Sequence, residues 1–190
     1  DGYILAKSNG KLRGKVIKFP KISVGATENS IIAACLAKGK TILKNCALEP
    51  EIKDLTNFLI SAGANIKWSG RTCIIKGVND LNQTEYSVMS DRIEAGTFCV
   101  AATLAKGNLE IRNLDPKLIS AELDLLKKAG AKIKKDKNKI FIQGPNKIKS
   151  INNIKTREFP GIPTDLQAQL MVLMCKADGK SSITENIFEN

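Results

Sequence analysis

The chain has 190 residues, of which 43% are hydrophobic and 26% charged, and its formal net charge is +11 at pH 7. This content can bury the core of one domain or two small ones, and the sequence has neither an apolar signal core at its start nor the roughly 20 apolar residues needed to cross a bilayer. We therefore predict a globular cytoplasmic protein that does not enter a membrane. The absence of histidine excludes the commonest zinc ligand and the commonest general base, so proton transfer would use carboxylates or lysines.

The first part of the chain predicts a strand, a helix, a strand, a helix and a hairpin. An extended stretch over 12–19 ends at Pro20, a helix covers 23–38 and a strand covers 41–44. A second, amphipathic helix begins at Pro50, because proline suits the first helical position, and it ends at a glycine. Ser69 and Gly70 then mark the turn of a hairpin.

The rest of the chain predicts the same order of elements again, followed by the start of a third copy. The second copy has a strand at 86–89, an apolar helix at 91–106, a strand at 109–112, an amphipathic helix at 118–129 and a hairpin ending near Gly144. The third has a strand within 148–156, an apolar helix between Asp165 and Cys175 and a strand at 182–184.

The repeated order of elements is matched by a repeated sequence. Ala34–Asn45 returns as Ala102–Asn113, and a third copy begins near Pro163. A period of this size indicates a fold assembled from repeated supersecondary units. Each copy contains one helix that is apolar on every side, and we expect such a helix to be buried all round. The sequence therefore predicts an α/β fold of βαβαββ repeats, incomplete in this chain, with helices at the centre and sheets outside.

The five cysteines are scattered and form no CxxC pair. This pattern favours buried free thiols over disulfides or metal ligands. We expect no metal and no cofactor.

The positive charge has three interpretations. Only five of the thirty basic residues are arginines, and aromatic residues make up 5% of the chain. Few side chains are therefore available to hydrogen-bond base edges or to stack on nucleic-acid bases. The lysines alternate with apolar residues, as in Lys132–Lys135, a pattern typical of the solvated face of a strand. We favour this interpretation over attraction of a small anionic substrate, and both over nucleic-acid binding.

The starts of the apolar helices are candidate binding sites, because a helix N-terminus exposes unpaired N–H groups and a partial positive charge. At the first start, Lys21 and Gly25 suit a phosphate or diphosphate, with simple capping as an equal alternative. At the second start, Asp91 and Glu94 form the pattern of a capping box, and capping is the favoured interpretation.

Three further carboxylates lie near predicted helix starts. Asp165 either caps the third apolar helix or acts as an acid–base group beside the apolar loop 159–163. Glu49 and Glu51 either interact with the dipole of the second helix or face a substrate. The spacing of these residues does not choose between the alternatives.

Five motifs occur together and in order: Ser23–Asn29, Glu49–Ile52, Asp91–Thr97, Pro163–Gln169 and Thr184–Asn190. The set resembles the enolpyruvyl transferases, and in particular the UDP-N-acetylglucosamine 1-carboxyvinyltransferase family. The resemblance implies an inside-out α/β barrel of two similar domains, each of three βαβαββ units, with the substrate in the cleft between them. It also implies that residues 1–89 are part of the first domain and residues 90–190 part of the second.

The resemblance further implies a reaction. The family moves the enolpyruvyl group of phosphoenolpyruvate onto the 3-hydroxyl of UDP-N-acetylglucosamine by addition and then elimination of phosphate. This is the first committed step of peptidoglycan precursor synthesis, and so of cell wall biogenesis. The matching positions are Asp165 at the sugar hydroxyl, Lys21, Ile22, Ser23, Val24 and Gly25 at the diphosphate, Ile187 at the sugar, and Glu49, Glu51 and Asp91 as further acids near the cleft.

The chain also departs from the family pattern. The family's N-terminal Lys-Asn pair, its cysteine loop and its C-terminal arginines have no counterpart in these 190 residues. We therefore expect an internal piece of a longer enzyme that is inactive alone. The alternatives are the shikimate 3-phosphate enolpyruvyl transferase, which shares the architecture and binds no nucleotide, and a basic nucleic-acid-binding repeat module. The Ser23–Asn29 and Pro163–Gln169 motifs favour the UDP-sugar enzyme, and the oligomeric state is not predicted.

Overall fold

A computed structural model of the protein describes residues 2–3 and 5–188. The chain divides into two units, Asp1–Met89 and Ser90–Asn190. The boundary lies where the resemblance places the crossing between the two domains of the family. The assignment of each unit to one of those domains stays a prediction.

The first unit has the predicted order of elements. They are β1 (Val16–Lys18), α1 (Val24–Cys35), β2 (Lys40–Lys44), α2 (Pro50–Ser61), β3 (Asn65–Ser69) and β4 (Thr72–Lys76). The strands form one sheet in the order β1-β2-β4-β3. Strands β1 and β2 are parallel because α1 crosses between them, and the other pairs are antiparallel.

The helices of the first unit begin where the sequence predicts, but α1 ends at Cys35, three residues before the predicted end at Lys38. Ser23 is the N-cap of α1, and Pro50 is the first residue of α2, where its missing N–H costs nothing. Gly63 adopts a φ of 99° just after α2, a conformation that glycine takes without strain. The core lies between these helices and the sheet, where Leu43 pairs with Cys73 across β2 and β4 and both are fully buried.

The second unit has more and shorter elements. They are α3 (Arg92–Leu104), β5 (Asn108–Arg112), a 3-10 turn (Pro116–Ile119), α4 (Ser120–Lys128), β6 (Lys132–Asp136), β7 (Lys139–Gln143), β8 (Ile148–Lys149), β9 (Ile154–Lys155), a second 3-10 turn (Thr164–Leu166), α5 (Gln167–Cys175), β10 (Ala177–Asp178) and β11 (Ile183–Thr184). Strands β5, β7 and β6 form an antiparallel sheet, while β8 pairs with β10 and β9 with β11 in parallel.

Helix α3 is the centre of the second unit. It packs against α4, α5 and the sheet strands β5 and β7. Its buried residues include Cys99 and Val100, which join Leu126, Ile140 and Leu170 in one apolar cluster. This arrangement places the sequence around Asp165, which immediately precedes α5, beside the first turns of α3.

Two predictions about the elements are wrong. The predicted strand at 86–89 does not form, and instead the Tyr86 hydroxyl donates a hydrogen bond of 2.8 Å to Asp54 Oδ1. The apolar helices are not buried all round, since Ile32 of α1 is 52% exposed and Val172 of α5 is 54% exposed. Helix α1 lies on one side of a single sheet, so only the face that carries Ile31 and Cys35 is covered.

The sequence repeat is also a repeat of backbone conformation. Asn45 and Asn113, at equivalent positions of the two copies, have φ values of 63° and 62°, a left-handed conformation that asparagine tolerates. Gly77 and Gly144 follow the hairpins of the two copies, and each donates its N–H to a carbonyl just beyond an apolar helix. Two copies of one sequence therefore make the same turns.

Four cysteines are buried free thiols, as predicted, whereas Cys175 is exposed. Burial raises the pKa of Cys73 to about 12, with smaller effects from the nearby thiols of Cys46 and Cys35. No helix in the part of the chain that the structure describes is long and apolar enough to span a membrane.

Candidate active site

The first candidate position is the N-terminus of α1 in the first unit. Ser23 Oγ accepts a hydrogen bond of 3.2 Å from the Ala26 amide, so the capping interpretation is confirmed for this residue. Ile22 and Val24 pack partly against the core, whereas Lys21 and Gly25 are exposed. A Cβ atom at Gly25 would meet no atom within 4 Å, so a ligand can approach the backbone of the first helical turn closely.

A buried threonine connects this helix start to the loop that carries Glu49. Thr27 Oγ1 donates to the Ser23 carbonyl at 2.7 Å and accepts from the Ala47 amide at 3.0 Å. Thr27 is fully buried and Glu49 is 6% exposed. The loop 46–49 is therefore held against the first turn of α1.

Three glutamates lie together at this end of the first unit. Partial burial raises the pKa of Glu28, and the charges of Glu51 and Glu49 raise it further. The amides and the lysine of the helix start therefore have an acidic cluster as their neighbour. Sequence reasoning missed Glu28, although it lies within the Ser23–Asn29 motif.

The second candidate position is Asp91, which caps α3. Its Oδ1 accepts from the Ile93 amide at 2.7 Å and from the Glu94 amide at 3.1 Å. Capping, the favoured interpretation of the sequence, is confirmed. Asp91 also lines an open groove of about 510 Å³ beside Phe98 and β5.

The third candidate position is Asp165, in the second 3-10 turn. The N-cap residues of that turn and of α5 are Pro163 and Leu166, and neither start has a side-chain cap. The alternative that Asp165 caps the third apolar helix is therefore wrong. Its carboxylate is exposed, as a group that exchanges protons with a ligand must be.

The turn that carries Asp165 is packed directly on α3. A Cβ atom at Gly96 would lie 2.5 Å from Leu166 Cδ1, so α3 approaches this turn closely because residue 96 has no side chain. Gln169 Nε2 donates to Thr97 Oγ1 at 3.0 Å, which adds a polar contact between α5 and α3. The position of Asp165 is therefore fixed from one side.

The Glu185 carboxylate also holds the 3-10 turn that carries Asp165, through hydrogen bonds. Its Oε2 accepts from the Thr164 hydroxyl at 2.7 Å, and its Oε1 accepts from the Thr156 hydroxyl at 2.8 Å. The same Oε1 accepts from the amides of Ile187 at 2.6 Å and Phe188 at 3.2 Å. One carboxylate therefore connects the residue before Asp165 to the backbone of Ile187.

These hydrogen bonds control the charge of Glu185. Partial burial raises the pKa of this carboxyl, but the hydrogen bonds from Thr164, the Ile187 amide and Thr156 outweigh it and lower the pKa to about 2. Glu185 is therefore ionised at neutral pH and acts only as an acceptor. Sequence reasoning did not single out Glu185. The signal that could have found it was its place within the Thr184–Asn190 motif.

Two buried ionisable side chains, the basic Arg92 and the acidic Glu122, lie on α3 and α4. Arg92 is 4% exposed, and its guanidinium carbon lies 5.7 Å from the centre of the Phe159 ring. Glu122 of α4 is 3% exposed, and its Oε1 has no hydrogen-bond partner among the described residues. Burial raises the pKa of Glu122 to about 7, while a backbone hydrogen bond and the charge of Arg92 act in the opposite direction.

The raised pKa of Glu122 predicts a pH-dependent stability. Because the folded state holds this proton more tightly than the unfolded state, the free energy of unfolding decreases as the pH rises from about 4.5 to about 7. We expect Glu122→Gln, in the full-length protein that contains this chain, to match the unmodified protein at pH 4.5 and to be more stable at pH 8 by about 2–3 kcal/mol. Urea unfolding at both pH values measures this difference.

The matched control is Asp124→Asn, on the same helix with a 64% exposed side chain. It should leave the pH dependence of unfolding unchanged. A Glu122→Gln variant whose stability falls with pH as steeply as that of the unmodified protein would contradict a raised pKa at Glu122.

Comparison with known proteins identifies the family. A family model described as EPSP synthase (3-phosphoshikimate 1-carboxyvinyltransferase) matches residues 2–190. The chain belongs to this family. Among its relatives are UDP-N-acetylglucosamine 1-carboxyvinyltransferases of Pelagibacter ubique, 64% identical over 190 residues, and of Geotalea daltonii, 49% identical over 190 residues. The predicted resemblance to these enzymes is confirmed, and the chain spans 45% of their length.

Solved structures show the same fold. The enolpyruvyl transferase NikO from Streptomyces tendae matches with a TM-score of 0.72 at 24% identity, over 85% of this chain and 39% of that chain. An EPSP synthase from Acinetobacter baumannii matches with a TM-score of 0.62 at 20% identity, over 92% of this chain and 41% of that chain. The predicted fold class, an incomplete α/β fold of the enolpyruvyl transferase type, is confirmed.

The structure brings the predicted residues together in two groups. In the first unit, the helix start at 21–25 lies at the same end as Glu49 and Glu51. In the second unit, Glu185 connects Thr164, the residue before Asp165, to the Ile187 amide, while Asp91 serves as a cap at the start of α3.

Proposed function

We propose that this chain is part of a UDP-N-acetylglucosamine 1-carboxyvinyltransferase, which moves the enolpyruvyl group of phosphoenolpyruvate onto the 3-hydroxyl of the UDP-sugar. The observation that carries the proposal is the 64% identity with the Pelagibacter ubique enzyme over all 190 residues. By the same resemblance, we propose a cytoplasmic location and a role in peptidoglycan precursor synthesis.

In the second unit, Asp165 is proposed as the base of this reaction. Its exposed carboxylate would accept the proton of the sugar 3-hydroxyl as the hydroxyl oxygen bonds to C2 of phosphoenolpyruvate, while the C2=C3 double bond opens and C3 takes up a proton from a separate acid. Breaking of the C2–O bond to phosphate, with loss of a proton from C3, would then re-form the C2=C3 double bond and give the enol ether. Ile187, four residues after β11 begins, would contact the sugar.

In the first unit, the start of α1 is proposed to receive the diphosphate. The amides of Val24 and Gly25 belong to the first helical turn and have no carbonyl four residues earlier within the helix. Together with the charge of Lys21 and the open space at Gly25, they provide donors for phosphate oxygens. Ile22 and Val24 would anchor this stretch through their contacts with the core.

The remaining acids have less specific proposed roles. Glu49 and Glu51 would set the electrostatic potential around the helix start in the first unit, as they do for Glu28. Asp91 would organise the first turn of α3 through its two cap hydrogen bonds. We propose that each unit belongs to a different domain of the full-length enzyme.

A calorimetric titration tests the substrate class. The full-length protein that contains this chain is expected to bind UDP-N-acetylglucosamine saturably and to give no binding heat with shikimate 3-phosphate. The comparison is informative because the family model carries the name of the shikimate-pathway enzyme. Saturable binding of shikimate 3-phosphate without binding of the UDP-sugar would contradict the proposal and assign the chain to that enzyme.

A further inference from the structure

We infer that Glu185 is a positioning residue that fixes Asp165 relative to the backbone of Ile187. The inference rests on the proposed function, in which both residues contact the sugar. Glu185 itself would touch neither the substrate nor the reacting atoms. Its effect on the reaction would pass through the two segments that it holds.

The two oxygens of the Glu185 carboxylate serve different segments. Oε2 accepts from Thr164, the neighbour of Asp165 in the 3-10 turn, at 2.7 Å. Oε1 accepts from the amides of Ile187 and Phe188. Because a carboxylate is a rigid planar group, these hydrogen bonds set the spacing between the turn and the segment that follows β11.

The carboxylate is held in place by a fully buried residue. Thr156, which is 0% exposed, donates its hydroxyl hydrogen to Glu185 Oε1. The Oγ1 atom of Thr156 also accepts a hydrogen bond of 2.8 Å from the Asn186 amide. The backbone that leads into Glu185 and into Thr156 is fixed by the parallel pairing of Thr184 with Lys155 in strands β11 and β9. Glu185 therefore has little freedom to move away from the two segments.

Only an ionised carboxylate suits this position. Two hydroxyl groups and two amides converge on Glu185, and an acceptor-only group with several lone pairs can satisfy all four. Aspartate keeps the charge but is one methylene shorter, so it cannot reach both segments. The geometry therefore requires glutamate at this position to maintain both connections.

The decisive comparison is between Thr164→Val and Thr164→Ser in the full-length protein. Valine removes the hydroxyl that donates to Glu185 while keeping the shape of the side chain, and serine keeps the hydroxyl. We expect Thr164→Val to lower kcat by about tenfold or more, because small displacements of a catalytic group are costly. Thr164→Ser should restore kcat to within about twofold, and KM for the UDP-sugar should change less than kcat in both variants.

Thr103→Val is the matched control. Thr103 is fully buried in α3 and donates to the Cys99 carbonyl at 2.8 Å, so valine removes a hydrogen bond without affecting Glu185. This variant should keep kcat unchanged even where its melting temperature falls. Glu185→Asp is the second test, with an expected loss of kcat of about tenfold and retained folding by circular dichroism.

The outcomes separate the inference from the proposed function. An unmodified protein that releases no phosphate from phosphoenolpyruvate with UDP-N-acetylglucosamine would overturn the function, and the inference with it. An active unmodified protein in which Thr164→Val equals Thr164→Ser, or in which folded Glu185→Asp keeps full kcat, would overturn the inference alone. A Thr164→Val variant that does not fold leaves the decision to Glu185→Asp.

Discussion

Replacing Asp165 with asparagine in the full-length protein is expected to lower kcat by about three orders of magnitude. The amide keeps the size of the side chain but cannot accept the proton of the sugar hydroxyl, and general bases typically contribute 10²- to 10⁴-fold. Phosphate release at saturating concentrations of both substrates measures the effect. Since Asp165 is exposed and caps no helix, the melting temperature should not change.

Asp178→Asn is the control for this experiment, because Asp178 is a 77% exposed carboxylate of the same unit that lies 4.0 Å from the Lys147 Nζ atom. It should leave both kcat and the melting temperature unchanged. If Asp165→Asn retained more than about a tenth of the activity of the unmodified protein, another group would have to accept the proton.

The largest expected loss of stability comes from an added methyl group at Gly77 or Gly144. A Cβ atom at Gly77 would lie 1.6 Å from the Ala37 carbonyl oxygen, and one at Gly144 would lie 2.5 Å from the Ala102 carbonyl oxygen. Both neighbours are backbone atoms of an apolar helix or its end and cannot rotate away. We expect each alanine variant to lower the free energy of unfolding by about 3 kcal/mol or more, measured by urea unfolding of the full-length protein.

Gly107→Ala is the matched control, since its nearest atom to an added Cβ is a carbonyl oxygen at 3.8 Å, an ordinary contact. This variant should have nearly the same stability as the unmodified protein. Unchanged stability in Gly77→Ala would contradict the close approach of Gly77 to the Ala37 carbonyl.

Much of the fold could be predicted because local signals agree with one another. Ser23, Pro50 and Gly63 mark helix ends by their own conformational preferences, and the structure places the ends there. The repeat of Ala34–Asn45 as Ala102–Asn113 supports the same order of elements twice.

The errors arose where distant contacts override local pattern. The stretch 86–89 contains the strand-favouring residues Tyr86 and Val88, but Tyr86 lies edge-on against Phe58 and hydrogen-bonds to Asp54 instead of pairing in a sheet. An apolar helix such as α1 predicts burial on all sides, yet burial depends on how many neighbours surround it. That number is a property of the assembled fold and cannot be obtained from the helix itself.

The candidate site was predicted in part. Ser23 and Asp91 were predicted as caps from residue type and helix position, and both cap their helices. Asp165 was singled out at a helix start, and its role as a base stays a proposal. Glu185 was not singled out, because its importance comes from four donors that include residues 21 and 29 positions earlier in the chain. Such convergence becomes visible only when the segments are folded together.

The most direct test of the proposed function is product formation by the full-length protein that contains this chain. With phosphoenolpyruvate and UDP-N-acetylglucosamine, we predict release of phosphate together with an equal amount of enolpyruvyl-UDP-N-acetylglucosamine, detected by mass spectrometry. With shikimate 3-phosphate in place of the UDP-sugar, we predict no phosphate release. Turnover of shikimate 3-phosphate alone, or of neither acceptor, would contradict the account.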